Sequence, residues 1–111
     1  MPDDEFIWSE AQRWRTHLDA RNGAGPAELT LRLLKLTEEA GEVAQAWIGV
    51  QGQNPRKGVT HTVDDVVAEL ADVVFTSLVA IASLGADPRQ AVTDCVVKAA
   101  GYLDAGSAQA R

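Results

Sequence analysis

TVDDVVAELADVVFTSLVAIASL, Thr62 to Leu84, is the stretch whose reading decides the fold class. Its apolar residues, among them Val66, Val67, Leu70, Val73, Val74, Phe75, Leu78, Val79 and Ile81, recur at three and four rather than at two, which is a helical period. Thr62, followed three residues later by Asp65, is a weak variant of the capping box and marks the helix start. A helix with so little polar face belongs at the centre of a bundle or at a subunit contact. What polarity it has is ordered: Asp65, Glu69, Asp72 and Thr76 are spaced by four, three and four, so they form one narrow stripe. A buried, unpaired carboxylate is costly or else protonates, so the stripe implies cations, donors or water facing it.

The same period extends to both sides, and no convincing strand is found. From about Asp4 to Ala20, Ile7, Ala11, Trp14 and Leu18 form one stripe, broken by RNGAG at Arg21 to Gly25. A second helix begins near Pro26 and runs through Leu29, Leu33, Leu36, Ala40, Val43 and Trp47 to Gly49. After the loop Gly49 to His61 and the helix already described, Asp87 and Pro88 open a fourth, with Ala91, Val92, Cys95, Val96, Ala99 and Leu103 on its inner face. The expectation is a single all-α domain over residues 1–111, a bundle of about four helices, with 104–111 a flexible tail. At helical spacing Trp14 and Trp47 read as core, and the lone Cys95 reads as a small core residue.

The second helix carries an oddity in TEEAGEVAQAW, Thr37 to Trp47: Glu38, Glu39 and Glu42 lie within one turn or so of each other. Glu38 and Glu42 are an i, i+4 like-charge pair, which costs roughly 0.2–0.5 kcal/mol. Two helices thus offer carboxylates at i, i+3: Glu39 with Glu42, and Glu69 with Asp72. If the helices pack antiparallel, the two pairs converge on the hard oxygen environment that Mg²⁺ or Mn²⁺ prefers. The competing reading is a solvated acidic face. A di-iron centre would need Glu-x-x-His from two helices, and His17 and His61 follow Trp14 and Gly58 at that spacing. Gly41 in mid-helix costs about 1 kcal/mol relative to Ala and points to close approach of a neighbouring helix or a ligand.

Charge and composition exclude other classes. A net charge of −6 is wrong for a nucleic-acid surface, which needs a basic patch. A phosphate-handling role would need metal ions or a local basic feature, and Arg56 with Lys57 in the loop is such a feature. With one cysteine there is no intramolecular disulfide or thiolate cluster. MPDDEF lacks the basic and apolar regions of a secretory signal, and the run Val73 to Ala82 is short for a bilayer, so a soluble cytoplasmic protein is expected, with no membrane partner.

The order Glu38-Glu39-Ala40-Gly41-Glu42, a loop, then Glu69-Leu70-Ala71-Asp72 on a long apolar helix resembles the EExxE…ExxD pattern of MazG-like nucleoside triphosphate pyrophosphohydrolases, within the all-α NTP pyrophosphatase superfamily. The likeness runs from the first helix to Lys98. It implies a homodimer or homotetramer that hydrolyses a (deoxy)nucleoside triphosphate to the monophosphate and pyrophosphate. By that likeness Glu39, Glu42, Glu69 and Asp72 ligate Mg²⁺, and Glu38 either ligates a second ion or orients the attacking water. Lys98 matches a lysine that related enzymes place near the phosphates, and an i, i+4 pair with Asp94 is its other reading. Lys35 has the same ambiguity, and Tyr102 stands where such families frequently have Asn. Arg56 and Lys57 are candidates to clamp the triphosphate, and Trp8, off the apolar stripe, to stack on the base. Two alternatives remain open: a catalytically idle helical module that binds nucleotides or a protein, and an enzyme resembling phosphoribosyl-ATP pyrophosphohydrolase.

Overall fold

Each helix starts where a side chain or a proline satisfies its first turn. In the computed structural model, which describes residues 2–109, α1 spans Asp4–Asn22, α2 Pro26–Gln51, α3 Val63–Ser83 and α4 Pro88–Gln109. The Asp3 side chain accepts from the Phe6 amide, and Pro26 occupies the first turn of α2, where a missing N–H costs nothing. At α3 the expected capping box is complete: the Asp65 amide donates to Thr62 Oγ1 at 3.3 Å and the Thr62 amide to Asp65 Oδ2 at 2.8 Å. Those bonds from Thr62, together with the nearby His61, hold the Asp65 carboxyl below its usual range. No strand occurs among the described residues, in accord with the all-α reading. The tail expected from residue 104 is helical as far as Gln109, and residues 110 and 111 lie outside the described ones.

Helix α3 is central and touches the other three. It runs antiparallel to α2: Arg32 near the start of α2 donates to Ser83 at the end of α3, and Gly49 near the end of α2 accepts from the Thr60 amide just before α3. α1 packs on α3, and α4 packs by its first turns on α3 and α1. At that last contact the Arg89 guanidinium lies over the Trp8 ring, 5.4 Å from its centroid, and pairs with Glu5.

The interior differs in phase from the apolar stripes of the sequence. On α2 the buried residues are Arg32, Glu39, Ala46 and Gly49, while Leu33 and Trp47 of the expected stripe are exposed. Trp14 is also about half exposed, at 47%, and Cys95, Val96 and Leu103 are exposed, so the expected core roles of these residues are not met within one chain. On α3 the exposed side is Val63, Val67, Leu70 and Val74, an i, i+4, i+7, i+11 stripe. The radius of gyration, 17.8 Å, exceeds the roughly 13 Å of a compact chain of this length. α3 is long and apolar enough to cross a membrane by length and composition, yet Glu69 and Asp72 sit near its middle, where an acid in hydrocarbon is costly.

The two glycines of α2 have opposite surroundings. Gly41 is exposed and a Cβ there would meet nothing within 4 Å, so it makes no close approach in this chain; it faces solvent because it lies on the far side of the helix from α3. Gly49 is the close contact, buried where a Cβ would overlap the His61 ring and Thr60. Gly41→Ala is therefore expected to stabilise the fold by up to about 1 kcal/mol, and Gly49→Ala to destabilise it. Urea unfolding followed by far-UV circular dichroism reads both signs.

Candidate metal and substrate site

Antiparallel packing of α2 on α3 brings together three of the four paired carboxylates; Glu42, expected as a fourth ligand, is outside the converging group. Glu39, Glu69 and Asp72 each present a carboxylate oxygen within 4.8 Å of the others. These three residues would hold a small divalent cation if their carboxylates closed inward on it. Glu42 sits half-buried one turn along from Glu39, close enough for its charge and its hydrogen bonding to act on the Glu39 carboxyl. Glu69 Oε2 is buried and has no hydrogen-bond partner among the described residues, and a native fold rarely leaves such an atom bare. The donor set is all oxygen, as hard divalent cations require.

The local charge is not balanced by side chains. Among the described residues the Lys35 ammonium is the one cation within 4 Å of these carboxylates, 3.5 Å from Glu39 and 3.0 Å from Glu38. Its pKa is raised, chiefly by the hydrogen bond to Glu38. Glu39 is shifted up, first by burial and then by the neighbouring Glu42 charge, and Lys35 only partly opposes this. An acid whose pKa is raised by folding takes stability away once it ionises: the fold is firmer below the raised value and loses that contribution as the pH rises through it.

Beside the cluster lies a cavity of about 490 Å³ between α1, α2 and α3. Trp14, Leu18, Leu31 and Phe75 form its apolar walls. Lys35 and Thr76 line its near end, one turn from Glu39 and Asp72. Its far end is Glu28, Arg32 and Asn22. Arg32 is buried there with its donors engaged: Nε on Glu28 at 2.7 Å, Nη1 on Asp19 at 2.7 Å and Ser83 at 3.1 Å, and Nη2 on the Gly23 carbonyl at 2.8 Å. Burial works against this charge, but the bonds it donates to Asp19 and Glu28, and their negative charges, prevail and raise the guanidinium above its usual value.

The remaining residues singled out in the sequence stand elsewhere or at the edge. Glu38 is exposed, held by Lys35, and outside the group of converging oxygens. Trp8 is half-buried beneath Arg89 at the α1–α4 contact and does not line the cavity. Arg56 and Lys57 are exposed in a turn closed on Asn54, and Lys57 borders a separate pocket of about 240 Å³ with His61 and Gln45. Lys98 is exposed on α4, and Asp94 accepts from Gln90 instead of pairing with it. Arg32, Glu28 and Asn22 carried no signal as site residues beyond a Glu–Arg i, i+4 spacing, which is ordinary on helices. Set against protein-family models, curated proteins and solved structures, the chain has no match in any of the three.

If the cluster is built for a cation, the ion-free protein carries an uncompensated charge. Glu39→Gln is expected to raise the melting temperature in chelator at neutral pH. Mg²⁺ is expected to raise it for the native chain, by about 2.7 kcal/mol of stability at a hundred times its dissociation constant, and not for the variant. Differential scanning calorimetry with and without Mg²⁺ checks both.

Proposed function

We propose that the protein is a MazG-like, divalent-cation-dependent hydrolase that cleaves a (deoxy)nucleoside triphosphate between the α- and β-phosphates, with water, to the monophosphate and pyrophosphate. The observation that carries the reading is the bare, buried Glu69 Oε2 within the cluster of Glu39, Glu69 and Asp72. Carboxylates so placed repel a polyanion unless a cation intervenes, and Mg²⁺, or Mn²⁺, is the ion their chemistry suits. A bound ion supplies charge compensation and Lewis acidity at the phosphoryl oxygens and favours loss of a proton from the attacking water.

The chain's own groups divide the remaining work. Glu39, Glu69 and Asp72, with Glu42 one turn along from Glu39, would hold the cation from two packed helices. Lys35 stands between the carboxylates and the cavity and is the cation of this chain placed to meet a phosphate. Glu38, on the solvent side and held by Lys35, takes the proton of the attacking water. The cavity takes the nucleoside, with Trp14 and Phe75 as the aromatic surfaces against the base. Arg56, Lys57 and Lys98 reach the substrate only if the loop or a second copy brings them to it.

A second copy of the chain is part of the reading. The exposed apolar stripe of α3, with Leu33 and Trp47 of α2 and Val96, Val97 and Leu103 of α4, leaves more apolar surface in view than an isolated monomer tolerates. Homodimers or homotetramers cover it. Light scattering is expected to show a mass of two or four times 11.9 kDa, and Val67→Asp combined with Leu70→Asp to dissociate the assembly; a monomeric native chain would remove the second copy from the reading.

The activity itself is tested by pyrophosphate release from a panel of ribo- and deoxyribonucleoside triphosphates, with phosphoribosyl-ATP included, in Mg²⁺. Glu42→Gln and Asp72→Asn are each expected to abolish release while the helical spectrum is kept. Ligand-induced thermal stabilisation without turnover of any member would mark a binding module instead.

A further inference from the structure

The far end of the 490 Å³ cavity carries a polar pair with a definite donor and acceptor order. Glu28 Oε2 is taken by Arg32 Nε at 2.7 Å and approached by Asn22 Nδ2 at 3.5 Å, while Oε1 accepts no hydrogen bond from the described residues. Arg32 is itself pinned by Asp19, Ser83 and Gly23, so the Glu28 carboxylate is held in place from behind. It offers an acceptor and no donor. Asn22 has a second amide hydrogen beyond the one turned to Glu28. An acceptor therefore stands next to a donor at the end of an otherwise apolar slot.

We propose that this pair selects the base of the substrate, favouring cytosine and adenine, whose edges set an exocyclic amino group beside an unprotonated ring nitrogen, over uracil and thymine, which set a carbonyl beside a ring N–H. The assignment rests on the reading of the cavity as the nucleoside site. Glu28 Oε1 accepts from the amino group of the base, and Asn22 Nδ2 donates to the adjacent ring nitrogen. With uracil or thymine in the same pose the order reverses: the base carbonyl faces the carboxylate, and the ring N–H faces the amide hydrogen. Both members of the pair then lose their partners in a largely apolar space, which is where discrimination between isosteric ligands is greatest.

The length of the site agrees with this placement. Glu28 and Glu39 are eleven residues apart on α2, about 16 Å along a helix axis. Lys35 and Thr76 fall between them, at the end of the cavity nearer the carboxylates. A nucleotide whose α-phosphate lies at the cation and whose base enters between Trp14 and Phe75 runs parallel to α2 and ends at Glu28.

Two measurements test the proposal on the full chain. The ratio of kcat/KM for dCTP over dUTP is read from pyrophosphate release in Mg²⁺. Quenching of tryptophan fluorescence is titrated with dCMP, dAMP, dUMP and dTMP in chelator, with Trp14→Phe to identify the responding ring. Both are expected to favour cytosine and adenine over uracil and thymine by roughly 10- to 100-fold, the discrimination of one good bidentate pair. Glu28→Gln, which can turn a donor toward the base, and Asn22→Asp, which replaces the donor by an acceptor, are each expected to shift the ratio toward dUTP. Asn22 is exposed at the end of α1, so that variant keeps the test alive should Glu28→Gln fail to fold. Turnover or quenching with no preference among bases overturns the proposal and leaves the hydrolase reading intact. Selective quenching without turnover supports the proposal and overturns the hydrolase. The absence of both overturns both.

Discussion

One buried guanidinium organises this chain. Arg32 sits inside a small bundle where an unpaired charge would be untenable, and its donors reach Asp19 on α1, Glu28 on its own helix, Ser83 on α3 and the carbonyl of Gly23 in the α1–α2 turn. Breaking such a pairing strands a charge, so the contacts specify a relative position of three helices that apolar packing alone would leave open to sliding. The cavity between those helices exists because that position is enforced. The interior of the chain is thus ordered from a polar centre outward.

Along the buried side of α2 the charge changes sign from Arg32 at one end, through Lys35, to Glu39 and Glu42. The positive end is satisfied within the chain; the negative end is not, because α3 answers it with Glu69 and Asp72 rather than with cations. Both ends come from the same geometric fact. α2 and α3 run antiparallel with their polar stripes facing, so residues that repel are brought as near as residues that attract. The cost of that arrangement is visible in Glu39, whose carboxyl is shifted up by burial and by Glu42. A divalent cation is the simplest species to remove it, and its removal would leave the site poised for a ligand with phosphates.

The helices and their starts were legible from local chemistry, since Pro26, the Thr62–Asp65 box and Pro88 act within one turn of themselves. The carboxylates were legible too, because two i, i+3 pairs on one face are a pattern whatever they pack against. What a single chain hid was the phase of burial. Apolar periodicity identifies the side of a helix that shuns water, and it does not say whether the partner is in the same chain; Leu33, Trp47, Val67, Leu70, Val74 and Val96 are on such sides and remain exposed here. Arg32 and Glu39 are buried on α2 alongside the half-buried Leu29, Leu36 and Val43 of the same stripe. Gly41 and Gly49 show the same limit: each is a glycine in a helix, and only the placement of the loop carrying Thr60 and His61 distinguishes the open one from the crowded one.

Carboxylates and Arg32 share the space between α2 and α3 with apolar side chains, and part of the apolar surface of each helix is left to face outward. Outward-facing Val67, Leu70 and Val74 lie on the side of α3 opposite Glu69, Asp72 and Thr76, as helical spacing requires. A partner seated on the apolar side would therefore brace α3 from behind without entering the carboxylate cluster. Bracing of this kind matters for a cation site, because oxygens on separate helices keep their spacing only as well as the helices keep theirs. The same residues that make an isolated chain poorly covered are those placed to hold its polar centre rigid in an assembly.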